Sequence, residues 1–169
     1  MFIIKIIILV LILITSVLIG ILFSKKYTYR VNELRNVKNG LNMFATKVKF
    51  TYQTVPAIFL EVSEKIGGNI GNIFQTASEK MQEKSAEEAW YESLDNSQTN
   101  MNKLDIQIIK GLGKMLGATD VEGQLNEIKL VNEFLDKQLE DAEYEKSKNE
   151  KMYRTLGIIT GLTITILLI

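Results

Sequence analysis

Cysteine and histidine are both absent from the 169 residues, and proline occurs once, at Pro56. Without thiols the chain has no disulfide framework and no thiolate nucleophile. Without imidazole it lacks the usual His-based metal sites and the commonest acid–base group. There is no Gly- or Ser-rich tract to serve as a flexible linker. Carboxylates, lysine or serine can run catalysis unaided, but the paired Glu87 and Glu88 stand on adjacent helix positions, roughly 100° apart, and do not converge on one substrate. Gly111-Leu112-Gly113-Lys114 fails as a phosphate loop, because Met115 follows the lysine and no strand precedes it. The expectation is a protein that is not an enzyme, with no cofactor, no metal and no nucleic-acid partner.

What the chain does have is charge sorted by position. The formal net charge is zero, yet Ser24 to Lys49 carries seven cations and one acid, Glu61 to Glu145 eight cations and eighteen acids, and Lys146 to Thr155 four cations and one acid. An acidic middle is ordinarily a solvated helical surface. Basic flanks suit anionic lipid head groups.

Oil adjoins each basic flank. Ile6 to Phe23 is an eighteen-residue uncharged run, long enough to cross a bilayer. It exceeds the usual core of a signal peptide and has no small-x-small cleavage pattern behind it, so an uncleaved anchor is expected. Lys25, Lys26 and Arg30 follow it at once, against Lys5 and the terminal amine on the other side, which favours an outside N-terminus and a cytoplasmic continuation. At the other end Lys151 and Arg154 precede Leu156 to Ile169, fourteen uncharged residues or about 21 Å of helix. With Met152 and Tyr153 counted and Arg154 snorkelling to the interface, the reach is eighteen residues, or about 27 Å against a hydrocarbon core near 30 Å. The expected membrane-surface residues are therefore Lys25, Lys26, Arg30, Lys151 and Arg154. Gly157 and Gly161 form a GxxxG pair, a helix-packing candidate toward the first anchor, Gly20 included, or toward another subunit.

Between the anchors the apolar residues recur at helical spacing. Tyr27, Val31, Leu34, Val37, Leu41, Phe44 and Val48 mark one stripe of a helix that continues from the first anchor. Thr54-Val55-Pro56 ends it and opens a second helix, since the residue before proline is pushed out of the α region. Ile58, Phe59, Val62 and Ile66 face inward there, and Gly67-Gly68 terminates it. Asn69 is the expected cap of a third helix with Ile70, Ile73, Phe74, Ala77 and Met81 inward. Ser85 with Glu88 forms a capping box for a fourth, in which Trp90 is read as a core anchor. Met101 to Leu116 is expected to be a helix burying Leu104, Ile108, Ile109, Leu112 and Leu116. Thr119-Asp120-Val121-Glu122 is a second capping box, opening a helix with Val121, Leu125, Ile128, Val131, Leu135, Leu139 and Ala142 on one side. With no proline after it, that helix is expected to run unbroken to the end, about 73 Å at 1.5 Å per residue.

Lys148-Asn149-Glu150-Lys151-Met152-Tyr153-Arg154-Thr155-Leu156-Gly157, with Leu116-Gly117-Ala118-Thr119-Asp120-Val121-Glu122-Gly123-Gln124, resembles the stage III sporulation protein AB family. The order of anchor, basic helix, break at Thr54-Val55-Pro56, helical middle and second anchor is similar to that family too. The resemblance implies a mother-cell membrane protein of endospore formers, needed for the complex that joins mother cell to forespore. The family in turn resembles inner-membrane platform proteins of type II secretion and type IV pilus machines, whose cytoplasmic six-helix domains bridge a motor ATPase and membrane subunits.

The expected fold is all-α: a cytoplasmic bundle of about six helices, flanked by two transmembrane helices. The expected segments are an anchor at 1–24, a bundle at 25–155 and an anchor at 156–169 continuous with the last bundle helix. The expected role is a two-pass platform in the cell membrane, docking the motor ATPase or sibling membrane subunits, with a homo-oligomer also open. Glu79, Glu83, Glu87, Glu88 and Glu92 are candidates for partner docking. Asn149 and Glu150, which membrane physics does not demand, are candidates for a contact at the membrane surface, with the basic residues near Lys25 as one possible partner. An alternative is a channel-lining oligomer, with Thr15, Ser16, Thr160, Thr163 and Thr165 as its few polar groups.

Overall fold

A computed structural model of the chain describes residues 2–117 and 120–168, and side chains from residue 7 onward in those ranges together with that of Ile4. The Lys5 side chain and Thr119, which entered the charge balance and the second capping box, lie outside the described residues. Six α-helices account for most of the chain: α1 (Phe2–Phe50), α2 (Val55–Ile66), α3 (Gly68–Lys80), α4 (Ala86–Asp95), α5 (Lys103–Gly111) and α6 (Val121–Leu168). A 3-10 turn, Leu112–Met115, follows α5. Among the described residues there is no strand. Two compact units form, one from 1–31 with 141–169 and one from 32–140.

The 32–140 unit is a bundle whose centre is aromatic. Phe59 meets Phe44, Phe74 and Trp90 at ring-centroid distances of 5.1, 5.2 and 5.3 Å, each with edge toward face. Four helices, α1 to α4, thereby place one ring each at a single point, and each such pair adds about 0.5–1.5 kcal/mol beyond the area it buries. The Trp90 indole N–H donates to the Ile109 carbonyl at 3.0 Å, so its one polar atom is not stranded in the core. Leu34, Val37 and Leu41 line the same interior from α1, and Ile128, Val131 and Leu135 from α6.

Local chemistry sets most of the helix ends. Thr54 is extended and precedes α2, with Pro56 in the first turn, where a missing N–H costs nothing. Ser85 accepts the Glu88 N–H while the Glu88 carboxylate accepts the Ser85 N–H, the reciprocal capping box expected at α4.

The α2–α3 junction differs from expectation. Gly67, at φ +62°, closes α2 and also stands as the N-cap of α3, where Asn69 was expected. Asn69 instead donates from Nδ2 to the Gln98 carbonyl at 2.9 Å and anchors the loop after α4.

The stripe on α5 is also displaced. Leu104 is 51 % exposed, and the buried positions are Met101, Asp105, Ile109, Leu112, Gly113 and Leu116, of which Ile109, Leu112 and Leu116 were expected. Asp105 explains the rotation: it accepts the Asn102 N–H at 2.8 Å while Asn102 accepts the Asp105 N–H, a capping box that starts the helix at Lys103 and turns the carboxylate inward. The helix expected to reach Leu116 stops at Gly111 and tightens into the 3-10 turn. At α6 the Asp120 carboxylate accepts the Gly123 N–H at 2.9 Å and caps the helix, and Val121 is 48 % exposed rather than inward. A first-turn residue is the one whose facing the cap decides, and both misplaced apolar residues sit there.

Caps that make bonds should be distinguishable from caps that do not. Ser85→Ala is expected to cost about 0.5–2 kcal/mol. Thr54→Ala should change stability little, because its side chain makes no cap bond. Chemical unfolding of the detergent-solubilised full chain, followed by the fluorescence of Trp90, its single tryptophan, measures both.

Candidate membrane interface

In the unit of 1–31 and 141–169, α1 and α6 each carry a stretch long and apolar enough to cross a membrane. Ile7, Leu11, Leu18 and Leu22 on α1 and Ile159, Leu162 and Ile166 on α6 are exposed. Apolar surface of that extent is rare on water-facing monomers.

The two stretches meet through their smallest residues. Gly20, Gly157 and Gly161 are all buried. A Cβ added at Gly20 would stand 2.5 Å from the Tyr153 carbonyl oxygen, and one at Gly157 would stand 3.0 Å from that of Ser16. Gly161 lies against Leu13 and Ser16. The Ser16 hydroxyl donates to the Gly157 carbonyl at 2.8 Å, a part-buried bond from one helix to the other. The partner of the GxxxG pair within the chain is thus the segment from Leu13 to Gly20. Ser16 was considered only as a polar group of the channel-lining alternative; its spacing of four from Gly20 is the signal that it belongs to the packing face.

Three of the other four hydroxyls turn back on their own helices, and Thr160 is exposed. Thr15 donates to the Leu11 and Ile12 carbonyls, Thr163 to Ile159 and Thr165 to Gly161. Their donors are therefore engaged rather than presented to a lumen.

A belt of rings and cations closes this stretch. The Tyr153 ring lies 6.1 Å from Phe23 and 6.2 Å from Tyr27, and the Lys26 ammonium sits 4.9 Å from the Tyr27 centroid. Lys25, Lys26, Lys151 and Arg154 are exposed. Arg30 differs from the lipid-facing cation expected: it is 6 % exposed and donates to the Glu145 carboxylate at 2.7 Å. Its charge is paired with Glu145, whose side chain is 49 % exposed, rather than offered to lipid head groups. Asn149 is half-buried and donates to the Glu145 carbonyl at 2.8 Å, four residues back on the same helix. Glu150 is half-buried as well.

The five glutamates considered for docking lie in the 32–140 unit, and several carry internal duties. Glu92 bridges Lys80, at 2.8 Å, and Lys84. Hydrogen bonds from Lys80 and then Lys84 hold its carboxyl down at about 2, from an ordinary 4.5. The same contact raises Lys84. Glu88 is committed to the α4 cap, and Glu79 accepts from Gln75 at 3.0 Å. Glu87 stands beside Tyr91, whose hydroxyl is pushed up first by burial and then by that hydrogen bond. Glu79, Glu83 and Glu88 are exposed, while Glu87 and Glu92 are half-buried. A clamp that sequence reading missed joins distant segments: the buried Glu33 carboxylate accepts from the Asn100 backbone at 2.6 Å and from its side chain at 3.0 Å.

The sequence model of the family described as stage III sporulation protein AB matches residues 5–169. The chain belongs to that family. Stage III sporulation protein AB of Bacillus subtilis (strain 168) is 26 % identical over 153 residues, covering 88 % of this chain and 90 % of the relative. A solved structure of stage III sporulation protein AB superposes with a TM-score of 0.64 at 21 % identity, over 71 % of this chain and 98 % of that one. At that identity the superposition speaks for the all-α fold. The matched relatives bear the names of sporulation proteins and not of enzymes.

Two measurements test these contacts. In the cysteine-free chain, Leu13→Cys with Gly161→Cys should cross-link on oxidation, and adding Gly20→Val should cut the yield several-fold by forcing the helices apart. Because the Glu92 pKa is depressed, the stability it lends is complete above its ordinary 4.5 and is lost as pH falls toward about 2. Its carboxyl resonance should titrate near the lower value, and Lys80→Met should move that midpoint upward.

Proposed function

We propose that the protein is a non-enzymatic, two-pass membrane platform of the mother cell–forespore sporulation complex. Residues 1–24 and 156–169 serve as its anchors and 25–155 as a cytoplasmic bundle that docks a motor ATPase or sibling membrane subunits. The observation that carries this reading is the charge order: each apolar stretch is met by exposed cations at its bundle-side end, Lys25 and Lys26 on one helix and Lys151 and Arg154 on the other. Both helices then obey the positive-inside rule in the same sense, which puts the acidic segment on the cytoplasmic side. Family membership supplies the sporulation setting. The channel-lining alternative draws less support, because the hydroxyls of Thr15, Ser16, Thr163 and Thr165 are engaged within the helix pair.

Docking is assigned to the acidic surface around Glu79 and Glu83, which are exposed and make no helix cap. Reversing both to lysine should slow and weaken capture of the complex's ATPase several-fold while leaving membrane insertion intact. Unchanged capture would remove the site assignment. Topology is tested separately with Asn96→Cys, at an exposed position outside both apolar stretches. An impermeant thiol reagent should label it only after the membrane is breached, and labelling of intact cells would invert the orientation.

A further inference from the structure

The α1–α6 pair of the 1–31 and 141–169 unit does not close completely. Beside the glycine contact it leaves an open groove of about 360 Å³, with Ile12 and Ile19 on one side, Leu156 and Ile164 on the other, and Gly20 and Gly157 among its lining. The Thr15 and Ser16 hydroxyls that border it are already donating to backbone carbonyls, and beside the Thr160 hydroxyl the lining is mostly apolar, so the groove offers little to a polar ligand. Its length selects among apolar ones. The lining runs from Ile12 to Phe23 on α1 and from Tyr153 to Ile164 on α6, eleven steps on each helix, which is about 16 Å at 1.5 Å per residue. That is close to half of a hydrocarbon core of about 30 Å, the depth of a single leaflet. A third transmembrane helix would need a groove through both leaflets.

One end of the groove is also chemically distinct. Phe23 and Tyr153 close it with their rings, and Lys25, Lys26, Lys151 and Arg154 stand within three residues of one or other of them, all exposed, against one carboxylate, Glu150. A ligand with a chain of one-leaflet length and a negative group at its head matches both halves of this description. We infer that the groove is a binding site for an acyl chain of an anionic phospholipid, whose phosphate head is held by the cations beside Phe23 and Tyr153. The site rests on the part of the proposed function that puts both apolar stretches in a bilayer, and it is independent of any motor docking.

The test uses the full-length protein in vesicles of phosphatidylcholine, with or without phosphatidylglycerol, each doped with the matching lipid carrying a photoactivatable acyl chain. Labelled positions are mapped by mass spectrometry. Residues on the groove should be labelled several-fold more by the phosphatidylglycerol probe than by the phosphatidylcholine probe. Thr160→Phe, which fills the groove from an exposed position, should remove that excess while labelling of the outward residues Leu11 and Ile159 persists. Replacing Lys25, Lys26 and Arg154 together by glutamine should equalise the two probes. Equal labelling by both probes in the unaltered protein would overturn the site, as would an unchanged pattern in Thr160→Phe or a protein–protein cross-link in the groove. Extraction of the protein by alkaline carbonate would overturn the bilayer reading itself, and the lipid site with it.

Discussion

The Tyr153 carbonyl oxygen stands 2.5 Å from the place a Cβ on Gly20 would occupy, so the two apolar helices approach one another as closely as backbone permits. In water, burial of oil would draw such helices together; in lipid that force is missing, and contact relies on dispersion and on polar groups that find partners. Gly20, Gly157 and Gly161 supply the approach, and the Ser16 hydroxyl on the Gly157 carbonyl supplies the polar bond. The ring belt of Phe23, Tyr27 and Tyr153 and the ion pair of Arg30 with Glu145 follow farther along the same two helices. Once backbone contact fixes their separation, these side chains have little freedom in what they meet.

Much of this was legible before any coordinates, and where reading failed the cause is physical. The stripe on α1 was found by spacing alone, because Val31, Leu34, Val37, Leu41 and Phe44 keep the three- and four-residue rhythm even though Arg30 and Glu33 are buried beside it. On α5 the same method misplaced Leu104, since Asp105 turns inward to serve a cap and periodicity counts an aspartate as outward. Arg30 belongs to the same class of error. Next to Lys25 and Lys26 it has the composition of a lipid-facing cation, and its partner Glu145 lies 115 positions away, a distance that sequence reading without an alignment does not bridge. The cap at Gly67 was missed because asparagine is the stronger general choice, while the junction needs φ +62°, a conformation glycine reaches without strain.

The glycine pair illustrates a different limit. Its spacing announced close packing but left the partner open between the first anchor and another subunit. The partner is settled by what stands opposite: Ser16 and Leu13 lie within van der Waals reach of Gly161, and Ser16 and Val17 of Gly157. The GxxxG face is thereby used within one chain.

The acidic surface calls for similar care. A glutamate held between two lysines, as Glu92 is, contributes little net field, because its charge is cancelled within a few ångströms and the remainder is screened by salt. Glu88 is spent on a helix start. The field of this segment is the summed excess of eighteen acids over eight cations from Glu61 to Glu145 rather than that of any single carboxylate. Such a field steers approach and orders the choice of partner more than it adds affinity. Affinity at a docking face would then come from apolar contact made beside the acidic surface.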